Sequence, residues 1–226
     1  MRNPANTNQT LHFAPFYKAF PVQVSHGPLI TPYLERLLVV FRDCVHSHPR
    51  GFAVRVDLRF SQHLSLPQDV HTNAPLQRFL ASLKAILDHK DQQRYQQTGR
   101  VNAHGMRYAW AREVGRRGGM PHYHLVLFFN GDAYRGLGNY ADLQAPGLCN
   151  RIRQAWASAL GLPVGVVAGL VSFPPGGSWH IDRNHLTCVA AFKACSYLCK
   201  VATKPFGQGI SCFGTSQNHV PYKEGA

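Results

Sequence analysis

His122 and His124 stand two residues apart in the run Met120-Pro121-His122-Tyr123-His124-Leu125-Val126-Leu127-Phe128-Phe129, and Tyr197 stands three residues before Lys200. On a strand, residues i and i+2 share a face, so the two imidazoles project together and can share one metal ion. The preceding segment, Arg107 to Val114, supplies a carboxylate. If the hairpin turns at Arg117-Gly118, Glu113 lies opposite His122 and small Ala111 opposite His124. Cross-strand partners have Cβ atoms roughly 4.5–5.5 Å apart, so a His, His, carboxylate site is geometrically available. A His-x-His pair alone more often marks a partly exposed polar strand face, and Glu113 in the matching register brings the two readings level. Tyr197 offers different chemistry. On a helix over 186–203, Lys193, Tyr197, Lys200 and Lys204 line one face. A phenol with a pKa near 10 is a poor nucleophile until cations stabilise its phenolate, and lysines one turn away do that. Lysines on a helix are otherwise an ordinary solvated face. Cys188, Cys195 and Cys199 fall on a different face, about 160–200° away, and read as small apolar groups against the core.

These residues need elements to hold them. Thr31-Pro32 opens a helix, with Thr31 as N-cap, Pro32 at N1 and a stripe of Leu34, Leu37, Leu38 and Phe41, ending before Pro49. The period then changes: Phe52, Val54, Val56, Leu58 and Phe60 alternate with Ala53, Arg55, Asp57, Arg59 and Ser61, a strand with one buried face. A helix over 75–90 follows, then a Gln-rich connection over 91–101, then the strand pair carrying Glu113 and the histidines. Another helix fits 148–160, a short strand 164–173, and the last helix is stopped by Pro205 and Gly207. The first ten residues read as loose chain. The order predicts an α+β fold: a ferredoxin-like (split βαβ) antiparallel sheet with helices on one face, preceded by an N-terminal helical extension. The expected boundaries are an extension over 1–49, a catalytic domain over 50–206 and a tail over 207–226. On this plan Arg55, Asp57 and Arg59 share the sheet face of the two histidines.

With 226 residues, 45 % of them hydrophobic, the chain buries a core, and disorder is excluded as its main description. Charge is sparse at 15 % but lopsided: 24 Lys and Arg against 11 Asp and Glu, net +13, which makes a polyanion the first partner to consider. The opening residues carry no apolar signal-like run, and the longest apolar stretch is too short and too broken by Pro163 and glycines to span a bilayer. Six cysteines in this context read as reduced thiols of a cytoplasmic protein. No Gly-x-x-x-x-Gly-Lys-Ser/Thr motif is present, so any helicase activity must come from a partner.

The His-hydrophobe-His pair, followed downstream by Tyr197-Leu198-Cys199-Lys200, resembles the HUH endonucleases of the replication-initiator type. The wider context is similar to the inovirus gene-two-like replication proteins of filamentous phages and prophages. The matching pieces are Arg112-Glu113 before a glycine turn, Gly119-Met120-Pro121-His122-Tyr123-His124, Tyr197 with Lys200 and Lys204, and Phe213-Gly214-Thr215-Ser216. The strand around Val56-Asp57-Leu58 stands where the family has its first motif. The resemblance implies a nickase of single-stranded DNA or an origin hairpin that starts rolling-circle replication, working with a host helicase and polymerase. It assigns His122, His124 and Glu113 to a divalent ion, Mg²⁺ or Mn²⁺ rather than zinc. Tyr197 becomes the nucleophile, giving a 5′-phosphotyrosine and a free 3′-OH, and Lys200 offsets charge on the phenolate. Arg55, Arg59, Lys193, Lys204, Arg116 and Arg117 become DNA contacts. A conjugative relaxase usually carries its Tyr before the His pair, so the order here argues against that branch. Two readings of other classes stay open: a nucleic-acid-binding module that does not cut, and a metal-dependent phosphodiesterase using water.

Overall fold

The computed structural model describes residues 1–115, 119–182 and 187–217. Arg116 and Arg117, expected to be DNA contacts, lie outside the described residues. The N-terminal part forms five short strands, β1 (Arg2–Asn3), β2 (Asn6–His12), β3 (Phe16–Tyr17), β4 (Phe20–Pro21) and β5 (Leu29–Ile30), and helix α1 (Thr31–Ser47). Then come β6 (Arg50–Arg59), α2 (Ala74–Thr98), β7 (Arg107–Val114), β8 (Pro121–Asn130), α3 (Leu148–Leu160), α4 (Val164–Val167), β9 (Val171–Ser172), β10 (Ser178–Asp182), α5 (Thr187–Cys195) and β11 (Phe213–Thr215). The fold is mixed α+β with antiparallel sheets.

The principal sheet has the order β10-β6-β8-β7-β11, with β9 also pairing with β6. Every pairing in it is antiparallel. Strand alternation sends each strand's side chains to two different cores. Phe52, Val54, Val56 and Leu58 of β6, with Tyr123, Leu125, Leu127 and Phe129 of β8, pack with α2 and α3 around buried Trp156. Ala53, Ala109, Ala111, Val126 and Phe128 face the other way, against α1 and α5. The expectation of helices on one face is therefore corrected: α2 and α3 cover one face, α1 and α5 the other. The reason is that Ala53, Ala109, Ala111, Val126 and Phe128 make an apolar middle on the second face, between its charged residues, and that patch must be covered.

Other local expectations also shift. The first ten residues are strands, with β2 pairing with β1 and β5. Thr31 is the first helical residue, with Ile30 at the N-cap and no side-chain cap. The Gln-rich stretch continues α2 to Thr98, where Gly99 ends the helix in the left-handed conformation (φ +68°). Residues 164–173 form a helical turn, a 3₁₀ turn over Ala168–Leu170 and only then strand β9. The last helix stops at Cys195 and tightens into a 3₁₀ turn over Ser196–Cys199. No residue before Pro205 breaks a helix on its own account. The stop is tertiary: Leu29 bridges to Lys200, and the Val201 N–H bonds to the Pro28 carbonyl instead of to its own helix.

Candidate functional site

Three adjacent strands set the site. In the β7–β8 ladder Glu113 pairs with His122 and Ala111 with His124. In the β6–β8 ladder Asp57 pairs with His124 and Arg59 with His122. Directly paired residues share a face, so Glu113, His122, His124, Asp57 and Arg59 meet on the α1/α5 side at the sheet's end, beyond its apolar rows. One ligand atom from each of Glu113, His122 and His124 lies within 4.8 Å of the other two, and this group can hold a metal ion. The Glu113 carboxylate (Oε2) is 3.6 Å from His124 Nε2 and 4.0 Å from His122 Nε2. Behind it, His124 Nδ1 donates to Asp57 Oδ1 at 2.7 Å, which leaves Nε2 as the atom facing Glu113. Asp57 is in turn gripped by Arg55, with Nε 3.2 Å from Oδ1 and Nη2 3.4 Å from Oδ2.

Glu113 is 2 % exposed and surrounded by cations. Lys204 reaches Oε1 at 3.0 Å, Lys200 reaches Oε2 at 3.0 Å, and the Thr203 hydroxyl donates to Oε2. Burial alone pushes the Glu113 carboxyl up, but His124, Lys204 and Thr203 outweigh it and hold it well below the usual carboxylate range. Asp57 is likewise held low: burial opposes ionisation, and the His124 bond and Arg55 overcome it. Burial also opposes protonation of His124, yet Asp57 and Glu113 raise its pKa above the ordinary value. His122 goes the other way, lowered to about 4 by burial and then by the charge of His124. The two imidazoles are thus shifted in opposite directions, His124 toward its protonated form and His122 toward its neutral one. Burial lowers Lys204 in spite of Glu113. The chain reaches this arrangement through Thr203, whose φ of +66° is unusual for a β-branched residue. Such backbone costs about 1–3 kcal/mol and persists where surrounding bonds over-determine it. Here the Thr203 carbonyl accepts the Val114 N–H while its hydroxyl holds Glu113.

Tyr197 lies in the 3₁₀ turn, half-buried, beside this cluster. The Lys200 ammonium donates to its hydroxyl and also pairs with Glu113, so one lysine links the phenol to the carboxylate. The Tyr197 ring stands edge-on to His124, with centroids 5.7 Å apart, and the Arg55 guanidinium lies 4.9 Å from its centroid. Phenol, two imidazoles, carboxylate and lysine therefore form one contiguous group.

Of the residues singled out from sequence, the structure brings together Glu113, His122, His124, Tyr197, Lys200, Arg55 and Arg59. Lys204 is not on an exposed lysine face as expected; its side chain is fully buried against Glu113. Lys193 is exposed on α5, one side of the break that separates it from Lys200. Arg55 is committed to Asp57 and Tyr197, whereas Arg59 is exposed. Sequence reasoning missed Thr203 and the counter-ion role of Lys204, and it did not single out His26, whose ring meets Tyr197 at 5.3 Å. Nothing in a single sequence marks a threonine for positive φ. The Asp57–His124 pair was within reach, since both lay on a face already drawn as common.

Comparison with known proteins adds lineage without a named activity. The chain is 34 % identical over 204 residues to "Uncharacterized protein YfjJ" of Escherichia coli strain K12, covering 84 % of this chain and 96 % of that protein. It is 32 % identical over 204 residues to "Uncharacterized protein YagK" of the same strain, covering 86 % and 97 %. No solved structure was found to match it. The YagK/YfjJ C-terminal domain model matches residues 14–216, which takes in both cores, Tyr197 and the whole Glu113 cluster, and the chain belongs to that family.

Proposed function

We propose that the protein is a metal-assisted DNA strand transferase: it nicks single-stranded DNA through Tyr197 and so initiates rolling-circle replication. The observation that carries the reading is the Lys200 ammonium held between the Tyr197 hydroxyl and Glu113, beside two imidazoles on one strand face. Two imidazole nitrogens, His124 once it has lost its proton, and one carboxylate fit a divalent ion, and Mg²⁺ or Mn²⁺ matches a phosphate's hard oxygens. When bound, such an ion supplies Lewis-acid polarisation and orientation of a phosphate oxygen. The rest is done by the chain. Lys200 stabilises negative charge on the Tyr197 oxygen as the phenolic proton leaves. That oxygen forms a bond to phosphorus, the bond to the 3′-oxygen breaks, and the departing oxygen takes up a proton. The product ester keeps the bond energy, so the strand can be rejoined by reversal. Arg59, beside His122, meets the strand's phosphates. The strand order β10-β6-β8-β7, with α2 between β6 and β7 and α3 between β8 and β10, is consistent with a ferredoxin-like, HUH-type plan.

The test uses end-labelled single-stranded oligonucleotides tiling both strands of the gene's own neighbourhood, with Mn²⁺, on denaturing gels. Wild type is expected to give a covalent adduct that maps to Tyr197 by peptide mass. Tyr197→Phe and the His122→Ala, His124→Ala double variant are expected to give none. Cleavage that persists in Tyr197→Phe sinks the nucleophile and leaves a hydrolase using water. Tight binding without cleavage by all three leaves a binding module.

A further inference from the structure

The N-terminal segment closes on both flanks of Tyr197. Just before the tyrosine, the Gln23 N–H donates to Ser196 Oγ at 2.8 Å. Just after it, Leu29 bridges to Lys200, and the Val201 N–H donates to the Pro28 carbonyl at 3.1 Å. Between these clamps the chain turns tightly, with Gly27 N–H bonded to the Val24 carbonyl at 3.1 Å. Gly27 has φ +97°, a conformation that favours glycine, and it brings the chain back into β5. The turn presents His26 to the phenol, with ring centroids 5.3 Å apart and planes at 89°.

Tyr197 thus has walls of two origins. His124 and Arg55 come from the sheet, and Lys200 from the chain just beyond the turn. His26 comes from a segment more than 170 residues earlier. A nucleophile reacts in proportion to how well its oxygen is placed, so the groups packed around the Tyr197 ring set where the hydroxyl points. We propose that His26 is a positioning residue for Tyr197, and that residues 22–30 are a structural part of the nucleophile's site rather than an appendage to it. The functional consequence rests on Tyr197 being the nucleophile; the ring contact does not. The perpendicular packing assigns the role to the ring itself, so phenylalanine can replace it. Loss of an edge-to-face pair reduces the correctly placed population by about three- to tenfold.

The experiment uses the full chain labelled with 3-fluorotyrosine, the Tyr197 ¹⁹F resonance being the one absent from Tyr197→Phe. His26 is exposed, so its substitution spares the core. In His26→Ala the resonance is expected to shift and broaden, and the adduct-forming rate to fall about three- to tenfold at unchanged oligonucleotide KM. In His26→Phe line width and rate are expected to recover. An unmoved resonance in His26→Ala overturns the proposal, as does a His26→Phe variant as defective as His26→Ala. If the resonance behaves as expected while wild type forms no adduct, the wall stands and the nickase reading falls.

Discussion

Glu113 is contested ground. A divalent ion that joins His122 and His124 must share Oε2 with Lys200, whose ammonium sits 3.0 Å away in a buried setting. Lys200 therefore opposes metal binding while serving the phenol. Lys200→Met is expected to tighten Mn²⁺ binding by about tenfold, worth about 1.4 kcal/mol, and to slow adduct formation. Titration calorimetry settles the first half; weaker Mn²⁺ binding in the variant contradicts the competition. Protons compete as well. His124, raised by Asp57 and Glu113, holds its proton to higher pH than an ordinary imidazole, and a protonated imidazole cannot ligate. His122, lowered to about 4, remains neutral far below that. Mn²⁺ affinity is thus expected to fall about tenfold per pH unit as pH drops through the His124 range, and to steepen to two protons only near pH 4. A slope of two already at pH 6 would mean that both histidines hold protons there. At this scale the sequence was informative about what sits opposite what, because strand parity sets the shared face and the supposed turn position sets Glu113 opposite His122. It was blind to Thr203 and to the burial of Lys204 against Glu113, which depend on a chain reversal that no local pattern encodes.

Among the elements, β11 illustrates how a distant segment supports the site. It pairs with β7, the strand carrying Glu113, with Gly214 opposite Trp110 and Phe213 opposite Ala111. A Cβ on Gly214 would lie 2.5 Å from three atoms of the Trp110 indole, itself packed edge-on to Tyr123. Gly214→Ala is therefore expected to cost about 1–3 kcal/mol through overpacking, seen as a lower urea midpoint. Mn²⁺ affinity should fall with it, because β7 loses its edge partner. Unchanged stability would show that the indole swings aside freely. The long amphipathic helices and the alternating strand β6 were legible, since hydrophobic period is a local property. Elements whose ends are set elsewhere were not. The 3₁₀ turn that follows α5 stops at Cys199, where Lys200 bridges to Leu29 and the Val201 N–H turns to Pro28, and α2 overruns its apolar stripe until Gly99, because Gln and Arg sustain a solvated helix without a buried face.

The whole molecule divides its chemistry between the two faces of one sheet. The α2/α3 side is a sealed apolar core, whereas the α1/α5 side ends in the ionisable cluster, with Arg59 exposed beside His122. A net charge of +13 attracts polyanions from every direction and does not by itself say where a strand lies. The location can be read from the salt dependence. Each phosphate neutralised on a single strand adds about 0.7 to the log–log slope of affinity against salt. If the strand crosses the cluster, Arg59→Gln is expected to lower the slope by about 0.7 for any oligonucleotide sequence. Arg94→Gln, on the exposed side of α2 across the sheet, should leave it unchanged. Lys193→Gln tests whether the footprint extends along α5. Equal losses from Arg59 and Arg94 would mean that the charge acts as a diffuse field and that the nucleic acid is not held at Tyr197. A loss confined to Arg59, or to Arg59 and Lys193, ties the binding face to the face that carries the phenol and the metal ligands.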